Sequence, residues 1–203
     1  MSVPYLQDPI RMHVYEWVLG KLGEKRGSLL DIGCRDSGFP SYMQSLGFAV
    51  TACERDPAFK KHQDGWMAKY GKFNLVMDDL RTMEGKFDTI TSIFALQHNS
   101  DGDSDIVCYE KCAYLLNPGG RIFVAHEYNK HKAWIQEGRD DGALRGYDNL
   151  DLMHRLIHPV EGVLIERKML PSWDVKYMRW DGLNAKWCDE EEAMTACIEI
   201  KSL

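Results

Sequence analysis

The stretch Leu29-Leu30-Asp31-Ile32-Gly33-Cys34-Arg35-Asp36-Ser37-Gly38 decides how this chain folds. Leu29, Leu30 and Ile32 around a single acid read as a short buried strand, which breaks into a turn with a glycine at each end. Ser41 to Ser45 can then start a helix. A strand that feeds a helix through a glycine turn makes a nucleotide-type cradle. Gly33 lets the backbone pass close to a ligand, and the helix N-terminus offers unpaired N–H groups. The next strand-like run, Phe48 to Cys53, ends at Glu54. That acid lies about 20 residues beyond the turn, where a ribose-binding carboxylate belongs.

Outward from this centre, strands and helices alternate. Ile10, Val14, Trp17 and Val18 share one face of an amphipathic opening helix over residues 9–22. Asp56-Pro57 is a helix start, since proline is tolerated at the first helical position. Residues 65–72 carry no clear period. Phe73 to Met77 reads as a third strand ending in Asp78-Asp79, and Phe87 to Phe94 as a β-rich central strand. Residues 105–116 form a helix buried through Ile106, Val107, Tyr109, Ala113, Leu115 and Leu116. Asn117-Pro118-Gly119-Gly120 stops it, and Arg121 to His126 is the fifth strand. Asp148 to His158 is expected to be helical, with Leu150, Met153, Leu156 and Ile157 inward. Val163 to Glu166 and Thr195 to Ile200 close the sheet. This order predicts an α/β fold with a parallel, doubly wound sheet.

A chain of 203 residues that is 44% hydrophobic can bury one real core. Its net charge of −6 offers no general attraction to nucleic-acid phosphates. The N-terminus lacks a basic region followed by an apolar one, and no run approaches a membrane span, so neither a signal peptide nor a membrane partner is expected. Six scattered cysteines without a C-x-x-C pair suit reduced thiols in the cytoplasm, and Cys108 and Cys112 read as one buried helix face. His126, Glu127 and His131 raise a metal site but lack a convincingly spaced further ligand. Asp101, Asp103 and Asp105 mimic the start of a calcium loop, but Ile106 and Cys112 occupy its glycine and glutamate positions. No metal is expected.

Over roughly residues 28–128 the chain resembles the class I S-adenosylmethionine-dependent methyltransferases. Leu-Asp-Ile-Gly-Cys at 30–34 is similar to that family's first motif, and Val-Thr-Ala-Cys-Glu at 50–54 to its second strand with the ribose acid. Asp79-Leu80 stands where the family holds the adenine. Residues 87–98, followed by Leu-Leu-Asn-Pro-Gly-Gly120, resemble the central strand and the late L-x-P-G-G turn. The resemblance implies a Rossmann-like, mostly parallel seven-stranded sheet with helices on both faces and the last strand antiparallel. It also implies S-adenosyl-L-methionine as cofactor and methyl transfer from its sulfonium. Carried over by position, the cofactor site comprises Asp31, Gly33, Cys34, Arg35, Glu54, Arg55, Asp79, Leu80 and Phe94. In one departure, Arg35 replaces the family's usual second glycine, where it could crowd the methionyl end or pair with its carboxylate.

The expected layout is one domain over 1–203. It has an N-terminal helix in 1–27, a cofactor-binding core in 28–126, and acceptor-side insertions with closing strands in 127–203. His98 stands where open α/β sheets bind ligands, either as a general base or as a histidine packed beside the cofactor. The aromatics and arginines between Tyr128 and Trp187, Arg145 and Tyr147 among them, suggest a lid and acceptor pocket, or else a cover for the closing strands. The expected substrate is a small or medium-sized acceptor methylated at oxygen or nitrogen. Two other readings stay open. A nucleic-acid methyltransferase has the acidic balance against it, and Ala95-Leu-Gln-His98 stands where an N-P-P-Y-like tetrapeptide would be. A methyltransferase-like binding protein without activity is motivated by Arg35.

Overall fold

The computed structural model describes residues 9–99, 103–129, 132–136, 144–160, 163–171, 178–180, 185–187 and 194–202. In chain order the first half contains α1 (Pro9–Leu22), β1 (Ser28–Ile32), α2 (Phe39–Ser45), β2 (Ala49–Cys53), α3 (Lys60–Tyr70), β3 (Asn74–Val76) and β4 (Phe87–Ile93). The second half contains α4 (Ser104–Leu115), β5 (Leu116–Tyr128), β6 (Trp134–Gln136), β7 (Leu144–Gly146), the helical segment α5 (149–160), and β8 (Val163–Pro171). It ends with β9 (Met178–Trp180), β10 (Ala185–Trp187) and β11 (Met194–Lys201).

Seven strands form the main sheet in the order β3-β2-β1-β4-β5-β11-β8. The five from β3 to β5 run parallel, whereas β11 is antiparallel to both β5 and β8. The chain leaves β1 toward β2 on one side and returns to β4 on the other. The carboxyl ends of β1 and β4 therefore flank a crevice where this class of sheet binds ligands.

Strand alternation assigns successive residues to opposite layers. Leu30, Ile32, Ile90, Ile122 and Val124 pack with Tyr109, Cys112 and Leu115 of α4 and with Leu152 and Leu156 of α5. Leu29, Val50, Phe123 and Ala125 face the other way, onto Val14, Trp17 and Val18 of α1 and Phe39 and Met43 of α2. Both faces of the sheet are thus covered, as its near-continuous apolar strands require. Ile10 lies on α1, but its side chain is outside the described residues.

Three expectations change. The Asn117–Gly120 turn does not precede β5 but loops out of it: β4 pairs Phe87 with Leu116 and next Thr89 with Arg121. A Cβ on Gly120 would sit 2.8 Å from the Asn117 carbonyl oxygen, so only glycine fits this loop. Val107 of α4 is exposed, and the buried face runs through Asp105, Cys108, Tyr109, Cys112 and Leu115. In α5, Leu152–Ile157 winds as a π-helix between short α turns. Its wider turn shifts the inward face, burying Leu152, Leu156, Ile157 and Val160 and leaving Leu150 and Met153 exposed. The indistinct 65–72 stretch is helical to Tyr70 and stops at Gly71. Among the described residues no helix is long and apolar enough to cross a membrane.

Candidate functional site

The glycine turn after β1 is held from three sides. The Gly33 N–H donates to the Cys53 carbonyl at 2.8 Å, tying the loop to the end of β2. Gly33 has φ +71°, and a Cβ there would lie 2.4 Å from the Ala95 Cβ. Any side chain would force the loop off the segment that follows β4, so this glycine is required twice over. Two bulky residues share the left-handed backbone region, Arg35 at φ 45° and Phe94 at φ 55°. Non-glycine residues rarely adopt it, and such strain concentrates at ligand sites.

Glu54 is 5% exposed, and its carboxylate closes the turn. Its Oε2 accepts the Arg35 N–H and its Oε1 the Asp56 N–H, each at 2.9 Å. These groups border a cavity of about 530 Å³ at the crevice between β1 and β4. Gly33, Arg35, Glu54, Arg55, Asp79, Leu80, Phe94 and His98 all line it. The Arg35 guanidinium lies 4.9 Å from the Phe59 ring centre, and Arg55 Nη1 donates to Asn99 Oδ1 at 2.8 Å. Asp79 caps the 3₁₀ turn Leu80–Thr82, and Arg81 grips its carboxylate with two bonds of 2.7 Å. Those bonds, ahead of any other influence, hold the Asp79 carboxyl below its usual range.

Asp31 and Cys34 lie behind the loop and are not among the residues that line the cavity. Asp31 alternates with Leu30 and Ile32 and so points toward the α1 layer. Its Oδ1 accepts the Thr91 hydroxyl at 2.6 Å, while Oδ2 has no hydrogen-bond partner among the described residues. Cys34 is buried in the same layer, and burial pushes its thiol far up. Sequence reasoning missed Phe59, Asn99 and Cys108 on the cavity wall. Asn99 could have been inferred from its place beside His98 at the carboxyl edge. Phe59 and Cys108 carry no such signal, because their positions depend on how α3 and α4 pack.

Arg145 and Tyr147 are not among the residues that line this cavity. Tyr147 is fully buried and donates its hydroxyl to Asp105 Oδ2 at 2.9 Å. Arg145 donates to Asp151 at 3.0 Å and stands 3.6 Å from Asp105. Arg155 grips Asp105 through bonds of 2.9 and 2.6 Å. The His126 ring stacks on Tyr147 with centres 4.7 Å apart, and its Nε2 pairs with the Tyr109 hydroxyl. The two expected pocket residues thus belong to a buried polar buttress joining α4, β5, β7 and α5. Its partner carboxylate, Asp105, accounts for their burial. Among the described residues no three His, Cys, Asp or Glu side chains converge on a metal position. Of the other aromatics and arginines expected to form the lid and acceptor pocket, Arg139, Trp173 and Tyr177 lie outside the described residues, as does His131.

Two buried groups give opposite pH dependences. Burial, opposed by the Thr91 bond and assisted by the Glu54 charge, raises the Asp31 carboxyl to about 7, with Arg11 of α1 opposing. Tyr15 of α1 also faces this carboxylate. Because the folded value exceeds the unfolded one of about 4, Asp31 favours folding fully below pH 4, and that contribution is lost as pH rises through 7. His126 is lowered by burial to about 3, so its contribution is present above about pH 6.5 and lost as pH falls toward 3. Asp31→Asn isolates the first effect. Its stability relative to wild type should rise by about 1 kcal/mol or more between pH 5 and pH 8 in urea titrations. A difference that stays constant over that range would contradict the assignment.

Comparison with known proteins adds a family to this geometry. The sequence profile described as a methyltransferase domain matches residues 13–178, most of the chain. The chain belongs to that family. Among methyltransferases, it is 32% identical over 124 residues to the ubiquinone biosynthesis O-methyltransferase of Xanthomonas euvesicatoria pv. vesicatoria, a match covering 58% of this chain and 49% of that protein. The chain spans about half the length of the curated relatives it matches. The methyltransferase fold matches the Burkholderia thailandensis 1,6-didemethyltoxoflavin-N1-methyltransferase solved with bound 1,6-didemethyltoxoflavin and S-adenosylhomocysteine. The TM-score is 0.77 at 14% identity, covering 97% of this chain and 79% of that one. It also matches the N-methyltransferase NodS of Bradyrhizobium japonicum WM9 in complex with S-adenosylhomocysteine, with a TM-score of 0.67 at 14% identity, covering 97% and 89%.

Proposed function

We propose that this chain transfers the methyl group of S-adenosylmethionine to an oxygen or nitrogen atom of a small or medium-sized acceptor. The observation that carries the reading is the buried Glu54 carboxylate on the wall of the crevice at the β1/β4 switch point. Membership of the methyltransferase family supports it, as do the O-methyltransferase among its relatives and the N-methyltransferase among proteins of similar fold.

The residues present fit the cofactor. A carboxylate already fixed by two backbone N–H groups keeps lone pairs for a ribose diol, Gly33 permits close approach, and Asp79 with Leu80, on the same cavity wall, would hold the adenine. Arg35 and Arg55 supply positive charge along the same wall, Arg35 suited to a carboxylate. When bound, the cofactor supplies an activated methyl group on sulfur. The chain's own task is to align the acceptor with that methyl group and to exclude water. His98 lines the same cavity, and in this reading it takes the proton that an acceptor hydroxyl or amine gives up. A small acceptor is preferred to a nucleic acid because of the net charge of −6. The described cysteines are all free thiols, in keeping with a reducing, cytoplasmic setting.

Glu54→Ala tests the reading. It removes charge-assisted bonds to two hydroxyls, so S-adenosylhomocysteine should bind about 1.5–3 kcal/mol more weakly in calorimetry. Unchanged affinity would remove Glu54 from the site.

A further inference from the structure

Helix α3 reaches the glycine loop with two side chains, Gln63 and Trp66, three positions apart and therefore on one face. Gln63 Nε2 donates to the carbonyl of Arg35 at 2.6 Å and to that of Ser37 at 3.0 Å. Trp66 Nε1 donates to the carbonyl between them, that of Asp36, at 2.9 Å. Three successive loop carbonyls are thus bonded to a single helix.

Two further features set Gln63 apart from a packing residue. Among the described residues of α3 it alone is fully buried, although it is polar. Its Oε1 has no hydrogen-bond partner among the described residues. A buried acceptor left unsatisfied is destabilising, so the position favours glutamine for its two donors and not for its volume. The loop it holds needs such help. Arg35 adopts φ 45°, where a side chain is strained and glycine is the ordinary occupant. The Arg35 N–H is bound by Glu54 from one direction and its carbonyl by Gln63 from the other.

We propose that Gln63, supported by Trp66, is a positioning residue for cofactor binding. It holds the loop in the strained conformation that receives the cofactor and so allows an arginine to occupy a glycine position. The proposal rests on the reading of the cavity as the S-adenosylmethionine site. Gln63 acts on the loop and does not touch reacting atoms. Losing it should raise KM for S-adenosylmethionine and leave kcat at saturation nearly unchanged.

The test is calorimetric titration of S-adenosylhomocysteine into wild type, Gln63→Met, Trp66→Phe, Arg35→Gly and the Gln63→Met/Arg35→Gly double variant. All are measured well below their melting temperatures, with hydrogen exchange recorded on the free proteins. Methionine keeps the side chain's length while removing both donors and the unsatisfied oxygen. Gln63→Met should weaken binding about tenfold or more, and Trp66→Phe about threefold. Exchange at the Arg35 and Ser37 amides should quicken in Gln63→Met while β4 amides keep their protection. In the Arg35→Gly background the Gln63→Met loss should shrink below about threefold, because glycine needs no clasp. Wild-type affinity in Gln63→Met, or an equal loss in both backgrounds, would overturn the proposal. No binding by wild type would instead overturn the reading of the cavity on which it rests.

Discussion

Replacing Asp105 with alanine should lower the unfolding free energy by about 3–5 kcal/mol, the usual cost of stripping one partner from a buried ion pair. The carboxylate is fully buried in the first turn of α4, where a negative charge also suits the helix dipole. It accepts from Tyr147 and twice from Arg155, with the Arg145 guanidinium beside it. Alanine would leave the Tyr147 hydroxyl unsatisfied and two guanidinium groups largely dependent on Asp103 and Asp151 at the edges. Urea denaturation monitored by circular dichroism measures the loss. A change below about 1 kcal/mol would mean that the cluster behaves like a surface pair. Because α5 and β7 are pinned to α4 through this carboxylate, the variant should also loosen the layer that carries Cys108 on the cavity wall.

His98→Ala should reduce turnover about 10²-fold or more, while affinity for S-adenosylhomocysteine stays within about threefold. His98 ends the 3₁₀ turn Leu96–His98 just after β4. That turn is pinned at three points. Leu96 N–H donates to Ser92 Oγ at 3.3 Å, His98 N–H to the Ala95 carbonyl at 3.1 Å, and Gln97 Oε1 accepts the Glu127 N–H at 3.0 Å. The imidazole is therefore presented to the cavity by a fixed backbone, as a general base requires. Steady-state kinetics with any accepted substrate, alongside calorimetry, separates its possible roles. Equal losses in turnover and cofactor affinity would make His98 a packing residue. A bell-shaped or single-limbed pH–rate profile that vanishes in the variant would support the base.

The centre of the fold was legible because its signals are local. An apolar run ending in Gly33, a second ending in Glu54 and a third entering Ala95-Leu-Gln-His98 each carry their own boundary, and together they mark one sheet edge. The misread parts depend on distant partners. Asn117-Pro-Gly-Gly120 has the composition of a terminator, yet pairing with β4 begins at Leu116 and resumes at Arg121 around it. The inward face of α5 follows from π winding, which a 3.6-residue period does not anticipate. Arg145 and Tyr147 have the composition of a ligand pocket and equally that of a buried network. Asp105, some 40 residues earlier in the chain, decides between them. Arg35 read as a departure from a glycine pattern. Its left-handed backbone and the α3 side chains that hold it depend on a contact 28 residues away.

The central claim is that the crevice lined by Gly33, Glu54 and Leu80 is a site for S-adenosylmethionine. Titrating S-adenosylhomocysteine into the wild-type protein by isothermal calorimetry tests it directly. The account predicts one site with a Kd in the micromolar range or tighter, and a melting temperature that rises with ligand concentration by mass action. No heat and no thermal shift at about 1 mM ligand would contradict it.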